Sequence, residues 1–530
     1  MNKLLTKTDF ILYRDCPNNV WVKWHMPDEY GKFEISEFEK SLGLMGIEVE
    51  KLARERFKDG YLIEKRGEGA QELTKKLIAQ KTPVIFQAVF STDKFQAAAD
   101  VLVWNTEAEA YDIYEIKMSS TDEEDESPLD DGKPPKVNRK KEEQYEYDLS
   151  FQVNVAKLCG LNINNKFLLR LNRDYVKHGE LNLEKLFEIT DKTEKIDEVF
   201  QSVTLSEMEN AYKYLSDKNM PKGNCRCYYE RGRKAHCTAF SIINPNVPEY
   251  SVHDLNRIGS SKKLLGELIA EGQVSMDDLS ETDERFKPKK NKIGEEGKPR
   301  KINQIKVHKT KEPIVNLAAI KKELDSLTFP LCFLDYETYP TAIPMFDEYH
   351  PYQHIVFQYS LHILKSEDAE LEHKECLILE GDPAERIVES LRKDIGDKGS
   401  IISWFKKFEN SRNKELAQLV PKYNDFLNNV IERTYDLMDI VENQYFVHHG
   451  FRGRSSIKQI QTVIAPDFSY KKLAIKSGTD AIEAYRTILE DNMSDEEKEL
   501  KKKQMLKYCQ YDTEIMYIIW RFFNNLVKQP

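Results

Sequence analysis

The chain has 530 residues, 40% of them hydrophobic and 32% charged, with 25 Phe and 26 Tyr, which supplies packed cores and excludes global disorder. At about 150 residues per domain, this length predicts about three folding units. The net charge of −11, from 79 basic and 90 acidic residues, excludes a general polyanion binder, so any nucleic-acid contact has to be local or metal-assisted.

In chain order, the amino terminus from Met1 to Lys7 lacks a signal-peptide core, and no apolar run approaches the roughly 18 to 20 residues that cross a bilayer. A soluble cytoplasmic protein with no membrane partner is expected. Glu37 to Phe57 sets Leu42, Leu44, Met45, Val49, Leu52, Ala53 and Phe57 at helical spacing. Val84 to Phe90 and Ala99 to Trp104 are short apolar runs and Tyr111 to Met118 alternates, so neighbouring strands are expected. The acidic run Asp122 to Glu126 with Ser127 and Pro128, then the basic stretch Lys133 to Lys141, predicts a solvated insertion. Phe151 to Leu158 reads as a helix and Lys166 to Asn172 as a strand.

Ser251 to Leu279 predicts two short helices separated by Gly272. From Arg285 to Glu312, eleven basic residues face three acids, with Pro288 and Pro299 interrupting any helix; a charged spacer is expected, whose surplus charge also suits a phosphate backbone. Leu331 to Leu334 reads as a strand ending in a carboxylate pair and His354 to Leu364 as a second strand. The last helix starts at Ser494, whose side chain caps the Glu497 amide while Glu497 reaches back. These elements predict an α/β protein with domains over 1–245 and 326–530, a helical connector over 246–284 and a basic linker over 285–325.

Eight cysteines are too few for a disulfide scaffold in a chain this long. Cys225, Cys227 and Cys237 cluster, which suggests metal, while Cys159, Cys332, Cys376 and Cys509 are expected as small core residues. Asp100 opens the run DVLVW, and YEIK places Glu115 and Lys117 on one face of a strand. Phosphodiester hydrolysis needs a divalent cation held by carboxylates and a positive group near the attacking water, so the trio has the right chemistry. An exposed strand with an ion pair carries the same pattern.

With its opening LLTKTDFILYRDCPNNVWVKW, the stretch 1–245 resembles the RecB-like branch of the PD-(D/E)XK nucleases, in particular the iron–sulfur exonucleases that include CRISPR-associated ones and the nuclease domain of AddB. The resemblance implies Asp100, Glu115 and Lys117 as catalytic core, with Asp100 and Glu115 on the metal and Gln152 of DLSFQ as the following helical motif. It also implies Glu48 or Glu50 of GIEVEKLA where many relatives carry a histidine, and Cys16, Cys225, Cys227 and Cys237 as ligands of a 4Fe–4S cluster. Four thiolates suit a zinc ion as well.

In the second half, CFLDYETY places Asp335 and Glu337 on one side of a strand, and YCQYDT places Tyr508 and Asp512 on one face of a helix. A two-metal phosphodiesterase needs several acids around the phosphate and a group to orient water, which a tyrosine hydroxyl can do. Together the motifs resemble the DEDDy exonucleases of the ribonuclease H-like fold, which carry Asp-x-Glu on the first strand and Tyr-x-x-x-Asp on the last helix. That resemblance implies Asp335, Glu337 and Asp512 as ligands of Mg²⁺ or Mn²⁺ and Tyr508 as the water-positioning group. Glu409 of SWFKKFENS would supply the intermediate acid, with Asp436 of YDLMDI competing for that role. Arg452, Arg454 and Lys458 of FRGRSSIK are candidate phosphate contacts.

The order of motifs over nearly the whole chain is similar to a bacterial family of uncharacterised proteins regarded as RecB-family nucleases. The expectation is a metal-dependent nuclease with two active-site domains, the second a 3′-to-5′ exonuclease, with DNA ahead of RNA as partner. An RNA-processing exonuclease, a catalytically decayed nucleic-acid-binding scaffold and a chain whose first domain only clamps substrate stay open as alternatives.

Overall fold

The computed structural model describes residues 3–33, 37–64, 67–120, 139–289, 296–490 and 493–529. The acidic run of the expected insertion, most of its basic stretch, and residues 290–295 of the expected spacer lie outside the described residues. The protein is mixed α/β and divides into two compact units: Met1–Arg226, Cys237–Pro245 and Thr341–Gln353 form the first, and Cys227–His236, Asn246–Pro340 and His354–Pro530 the second. A linear reading places 341–353 with the second half; it groups with the first because Ala342 is buried in that unit's core. No described helix is long and apolar enough to cross a membrane.

The first unit is built on strands β1 (Leu5–Thr6), β2 (Tyr61–Leu62), β3 (Val84–Ser91), β4 (Phe95–Asn105), β5 (Ala110–Ser120), β6 (Ile163–Leu171) and β7 (Phe187–Asp191). Their order is β2-β3-β4-β5-β6-β7, with β1 parallel to β4. Strands β3, β4 and β5 run antiparallel, whereas β5 and β6 are parallel, so their connection crosses over. Helix α1 (Lys7–Asp15) starts where Thr6 accepts the Asp9 amide at 3.2 Å. Helix α2 (Glu37–Arg54) lays Met45, Val49 and Ala53 against Val84, Phe86, Val101 and Leu169, as its periodicity predicts.

Helix α3 (Arg139–Leu158) begins well before Phe151, so the end of the basic stretch is helix and not solvated insertion. Its first turns are polar, and they are held by pairings remote in sequence: Glu142 with Arg170, and Glu146 with Lys195 at 2.5 Å. Hydrophobic periodicity cannot see such a helix.

In the second unit, helix α4 (Lys262–Ala270) ends before Gly272, whose φ of +78° suits the left-handed stop. The second expected helix is only a 3₁₀ turn at Met276–Asp278. Part of the expected spacer is ordered as helix α5 (Arg300–Thr310), with Pro299 as its N-cap and not as a breaker. Ile305 joins a buried cluster with Val252, Leu265, Leu268, Met276 and Phe286. The lysines around Ile302 and Ile305 mask this short apolar face in the sequence.

The remaining strands are β8 (Ile314–Val315), β9 (Leu331–Pro340), β10 (His354–Leu364), β11 (Leu371–Leu377), β12 (Ser400–Ser403), β13 (Thr434–Asp436) and β14 (Phe446–Val447). Five of them form a sheet in the order β11-β10-β9-β12-β13. Strand β9 is antiparallel to β10 and parallel to β12, and its pairing continues from Leu331 to Pro340, so the carboxylate pair lies inside the strand and not at its end. Parity decides what each face meets. Cys332, Leu334 and Tyr336 pack with Ile387, Leu391 and Leu416, the last on helix α6 (Lys406–Leu419), whereas Phe333 meets Trp520 with ring centroids 6.3 Å apart. Asp335 and Glu337 share the Phe333 face.

Helix α7 (Ile457–Ile464) precedes the terminal helix α8 (Asp495–Leu526), which carries Trp520 and opens with the expected capping box. The Glu497 amide donates to Ser494 Oγ at 3.3 Å and the Ser494 amide to Glu497 Oε2 at 3.0 Å. Cys332 and Cys509 are buried as expected, but Cys159 is exposed at the end of α3 and Cys376 is half-buried on the edge strand β11.

Candidate functional site

In the first unit, β4 supplies Asp100, β5 supplies Glu115 and Lys117, and α3 supplies Gln152, so the implied catalytic residues converge. The sequence reading missed two partners. Lys7 of α1 donates to Glu115 Oε1 at 2.5 Å, and Lys117 donates to the same oxygen at 2.8 Å. Lys117 also pairs with Asp148, and Gln152 Nε2 donates to Glu115 Oε2. The Ile116 amide donates to Asp100 Oδ2 at 2.9 Å. Gln87 Nε2 donates to Glu50 Oε1 at 2.7 Å and to Asp100 Oδ1 at 3.3 Å, so Glu50 is tied to this site. Lys7 stands in the quoted TKTDF and Asp148 opens DLSFQ, one helical turn before Gln152, which is the signal that could have found them.

The charge of Glu115 is compensated within this site. Burial pushes the Glu115 carboxyl up, but Lys117 and Lys7 outweigh it and hold the group well below the usual range. Burial, then Glu115, pushes Asp100 up to about 7. Lys117 is raised despite its burial, because Glu115 and Asp148 stabilise its charge.

The cysteines predicted to act together do meet. Cys16, Cys225, Cys227 and Cys237 form one four-thiol group whose sulfurs lie within 4.8 Å of one another. Asn244 Nδ2 donates to the Cys225 sulfur at 3.2 Å. Four soft ligands at that spacing suit an iron–sulfur cluster or a zinc ion.

In the second unit, Asp335 and Glu337 of β9 face α8, which carries Tyr508, Cys509 and Asp512. Tyr470, on a 3₁₀ turn after α7, donates to Asp512 Oδ1 at 2.5 Å. Lys458 of α7 donates to the Tyr508 hydroxyl at 3.3 Å and to the Lys476 carbonyl at 2.6 Å. Its ammonium stands 5.0 Å from the Tyr470 ring centroid and 5.2 Å from that of Tyr508. Lys458 therefore belongs to the site, whereas Arg452 pairs with Glu249 at 2.8 Å and Arg454 lies 3.7 Å from Asp254. Tyr470 and Cys509 were not foreseen; neither has a local spacing that marks it.

Glu409 and Asp436 differ in their hydrogen bonds. Asp436 accepts the amides of Phe405 and Lys406 at 2.9 Å each and that of Met438 at 3.2 Å, which caps the start of α6. Glu409, 4% exposed, keeps Oε2 buried with no hydrogen-bond partner among the described residues.

These acids are crowded, and Lys458 beside Glu337 and Asp512 and Arg412 beside Glu409 offset only part of their repulsion. Burial, then Asp512, Glu337 and Glu409, pushes Asp335 well above the carboxylate range, and burial with Asp512 does the same for Glu337. Glu409 is pushed up to about 8 and Asp512 to about 6, in both by burial first. The Tyr508 phenol is raised by burial and by Asp512, so it remains protonated. An oxygen-rich, self-repelling donor set with an orphaned carboxylate oxygen fits a hard divalent cation.

Residues 332–456 match the model of a domain of unknown function, DUF2779. That stretch contains Asp335, Glu337, Glu409 and Asp436 and ends before Tyr508 and Asp512. Over 215 residues the chain is 26% identical to the uncharacterized protein MG366 of Mycoplasma genitalium, covering 37% of this chain and 32% of that protein. It is 25% identical over 213 residues to the MG366 homolog of Mycoplasma pneumoniae, with the same shares. The chain thus spans about a third of the length of these curated relatives. None of these descriptions assigns an activity.

Proposed function

We propose that the chain is a metal-dependent nuclease whose principal hydrolytic centre is the carboxylate cluster of the second unit, with DNA as substrate ahead of RNA. The observation that carries this reading is the contrast between the two clusters. In the first unit, Lys7 and Lys117 already neutralise Glu115; in the second, Asp335, Glu337, Glu409 and Asp512 are buried together with one carboxylate oxygen left orphaned. A buried cluster of like charge persists only where a cation or protons offset it.

Asp335, Glu337, Asp512 and Glu409 would hold Mg²⁺ or Mn²⁺, which supplies Lewis-acid activation of water and charge stabilisation at phosphorus. Tyr508 keeps its proton and presents a hydroxyl to orient the attacking water, and Lys458 donates to that hydroxyl and adds positive charge beside it. The carboxylate pair on the first strand of the five-stranded sheet, facing Tyr508 and Asp512 on the last helix, supports the ribonuclease H-like DEDDy reading of this unit. The convergence of Asp100, Glu115, Lys117 and Gln152 supports the PD-(D/E)XK reading of the first unit as a second site, with the four thiols as ligands of a 4Fe–4S cluster or zinc.

The test is an end-labelled oligonucleotide assay on anaerobically purified protein with Mn²⁺, using matched DNA and RNA strands. Shortening from the 3′ end that vanishes in Asp335→Ala supports the reading. Full activity in Asp335→Ala with loss in Asp100→Ala would move the principal site to the first unit, and metal-independent binding without cleavage would replace the nuclease by a scaffold.

A further inference from the structure

Cys509 follows Tyr508 on α8, is fully buried, and turns its sulfur to the carboxylates. Sγ lies 3.8 Å from Asp335 Oδ2 and 3.9 Å from the Asp335 carbonyl oxygen, and Sγ and the Asp335 and Glu337 oxygens all lie within 4.8 Å of one another. With a metal–sulfur bond near 2.3 Å and a metal–oxygen bond near 2.1 Å, a sulfur and an oxygen on one tetrahedral ion sit about 3.6 Å apart. The observed separation is thus that of two ligands of one cation with little adjustment. Glu409 points independently to a ligand: its Oε2 is buried without a hydrogen-bond partner among the described residues, in electrostatic reach of Asp335 and Glu337.

We infer that the second-unit site binds a thiophilic divalent cation, of the Zn²⁺ or Cd²⁺ class, through Cys509 Sγ together with Asp335 and Glu337. The inference rests on reading the cluster as a metal site, but not on its hydrolysing phosphodiesters. A coordinated thiol gives up its proton to solvent as the cation arrives, which replaces the S–H contact to Asp335 by a metal–sulfur bond. Softer cations gain from the sulfur, whereas Mg²⁺, which prefers oxygen, gains nothing. The site thereby discriminates among cations that four carboxylates alone would treat more alike.

The experiment is a Cd²⁺ titration of the full chain read by the ultraviolet thiolate-to-cadmium charge-transfer band, in wild type, Cys509→Ser and Glu337→Gln. The four-thiol group contributes equally to all three. Cys509→Ser keeps a hydroxyl that can donate to Asp335, so it separates ligation from mere positioning. The expected result is one thiolate equivalent of absorbance lost in Cys509→Ser, at least tenfold weaker Cd²⁺ binding at this site in Cys509→Ser and Glu337→Gln, and Mg²⁺ affinity within about threefold of wild type in Cys509→Ser. Cadmium-113 NMR of unmodified protein needs no variant and should give a resonance of a one-sulfur site, apart from that of the four-thiol group. Identical charge-transfer titrations, with Cd²⁺ binding that still responds to Glu337→Gln, would overturn the sulfur ligand and leave the metal site standing. Cation binding indifferent to Glu337→Gln would overturn both, whereas Cd²⁺ binding as expected without nuclease activity would support this inference and remove only the hydrolytic reading.

Discussion

The Tyr470 hydroxyl donates to Asp512 Oδ1 at 2.5 Å and so holds one of the four clustered carboxylates in its charged form. Burial pushes Asp512 up to about 6 even with this bond in place. A hydrogen bond to a charged group contributes about 1.5–3 kcal/mol, or about one to two pKa units. Tyr470→Phe should therefore shift the acid limb of Mn²⁺ binding upward by about one pH unit, as read by calorimetry between pH 5 and 8. An unmoved midpoint would show that the bond does not tune Asp512.

The acidic cluster should weaken the cation-free protein as pH rises. The folded Glu337 carboxyl has a raised pKa, so its favourable contribution is complete below about pH 4 and is lost as pH climbs through the folded value. Without divalent cation, Glu337→Gln should be more stable than wild type at pH 8 by about 1–3 kcal/mol and equal to it near pH 4.5. Saturating Mn²⁺ should reverse the order at pH 8, because the cation stabilises only the form that binds it. Urea unfolding at the two pH values, with and without Mn²⁺, measures all of this.

His362 acts in the opposite sense. Burial, then His373 and Lys507, pushes its pKa down to about 3, and its Nδ1 lies 2.8 Å from Thr513 Oγ1. The unfolded chain takes up a proton near pH 6.5 that the folded one refuses, so stability present above that pH is lost as pH falls toward 3. His362→Asn should reduce the stability lost between pH 6.5 and 4.5 by about 2 kcal/mol. Equal losses in variant and wild type would show that His362 is protonated in the fold.

Lys7 and Glu115 should be thermodynamically coupled. Removing one partner of a buried pair leaves an uncompensated charge, which costs about 3–5 kcal/mol when no other partner is present. Lys117 still faces Glu115, so Lys7→Met should cost about 2 kcal/mol. A double-mutant cycle with Glu115→Gln should return at least about 1 kcal/mol of coupling. Additive losses would show that Lys7 is held by its apolar stem alone.

Much of the chemistry was legible in sequence because it obeys local rules. The two-residue alternation of a strand puts Asp335 beside Glu337, and Glu115 beside Lys117, wherever the strand lies. The four-residue repeat of a helix puts Tyr508 above Asp512, and Ser494 with Glu497 forms its cap from four consecutive residues. Spacing likewise grouped Cys225, Cys227 and Cys237, whereas Cys16 joined them only through the resemblance to the iron–sulfur exonucleases.

Other features depended on partners far along the chain. Lys7 meets Glu115 across 108 residues, and the polar first turns of α3 are held by Arg170 and Lys195. Helix α5 stayed hidden among lysines because its apolar face is shared with residues from Val252 to Phe286. Glu409 and Asp436 look alike in sequence; only the fold brings the amides of Phe405 and Lys406 to Asp436 and leaves Glu409 Oε2 orphaned. The sequence by itself determined which acids could point the same way, because backbone periodicity is local. The tertiary structure alone decided which of them face a compensating charge, because electrostatic pairing depends on distance in space.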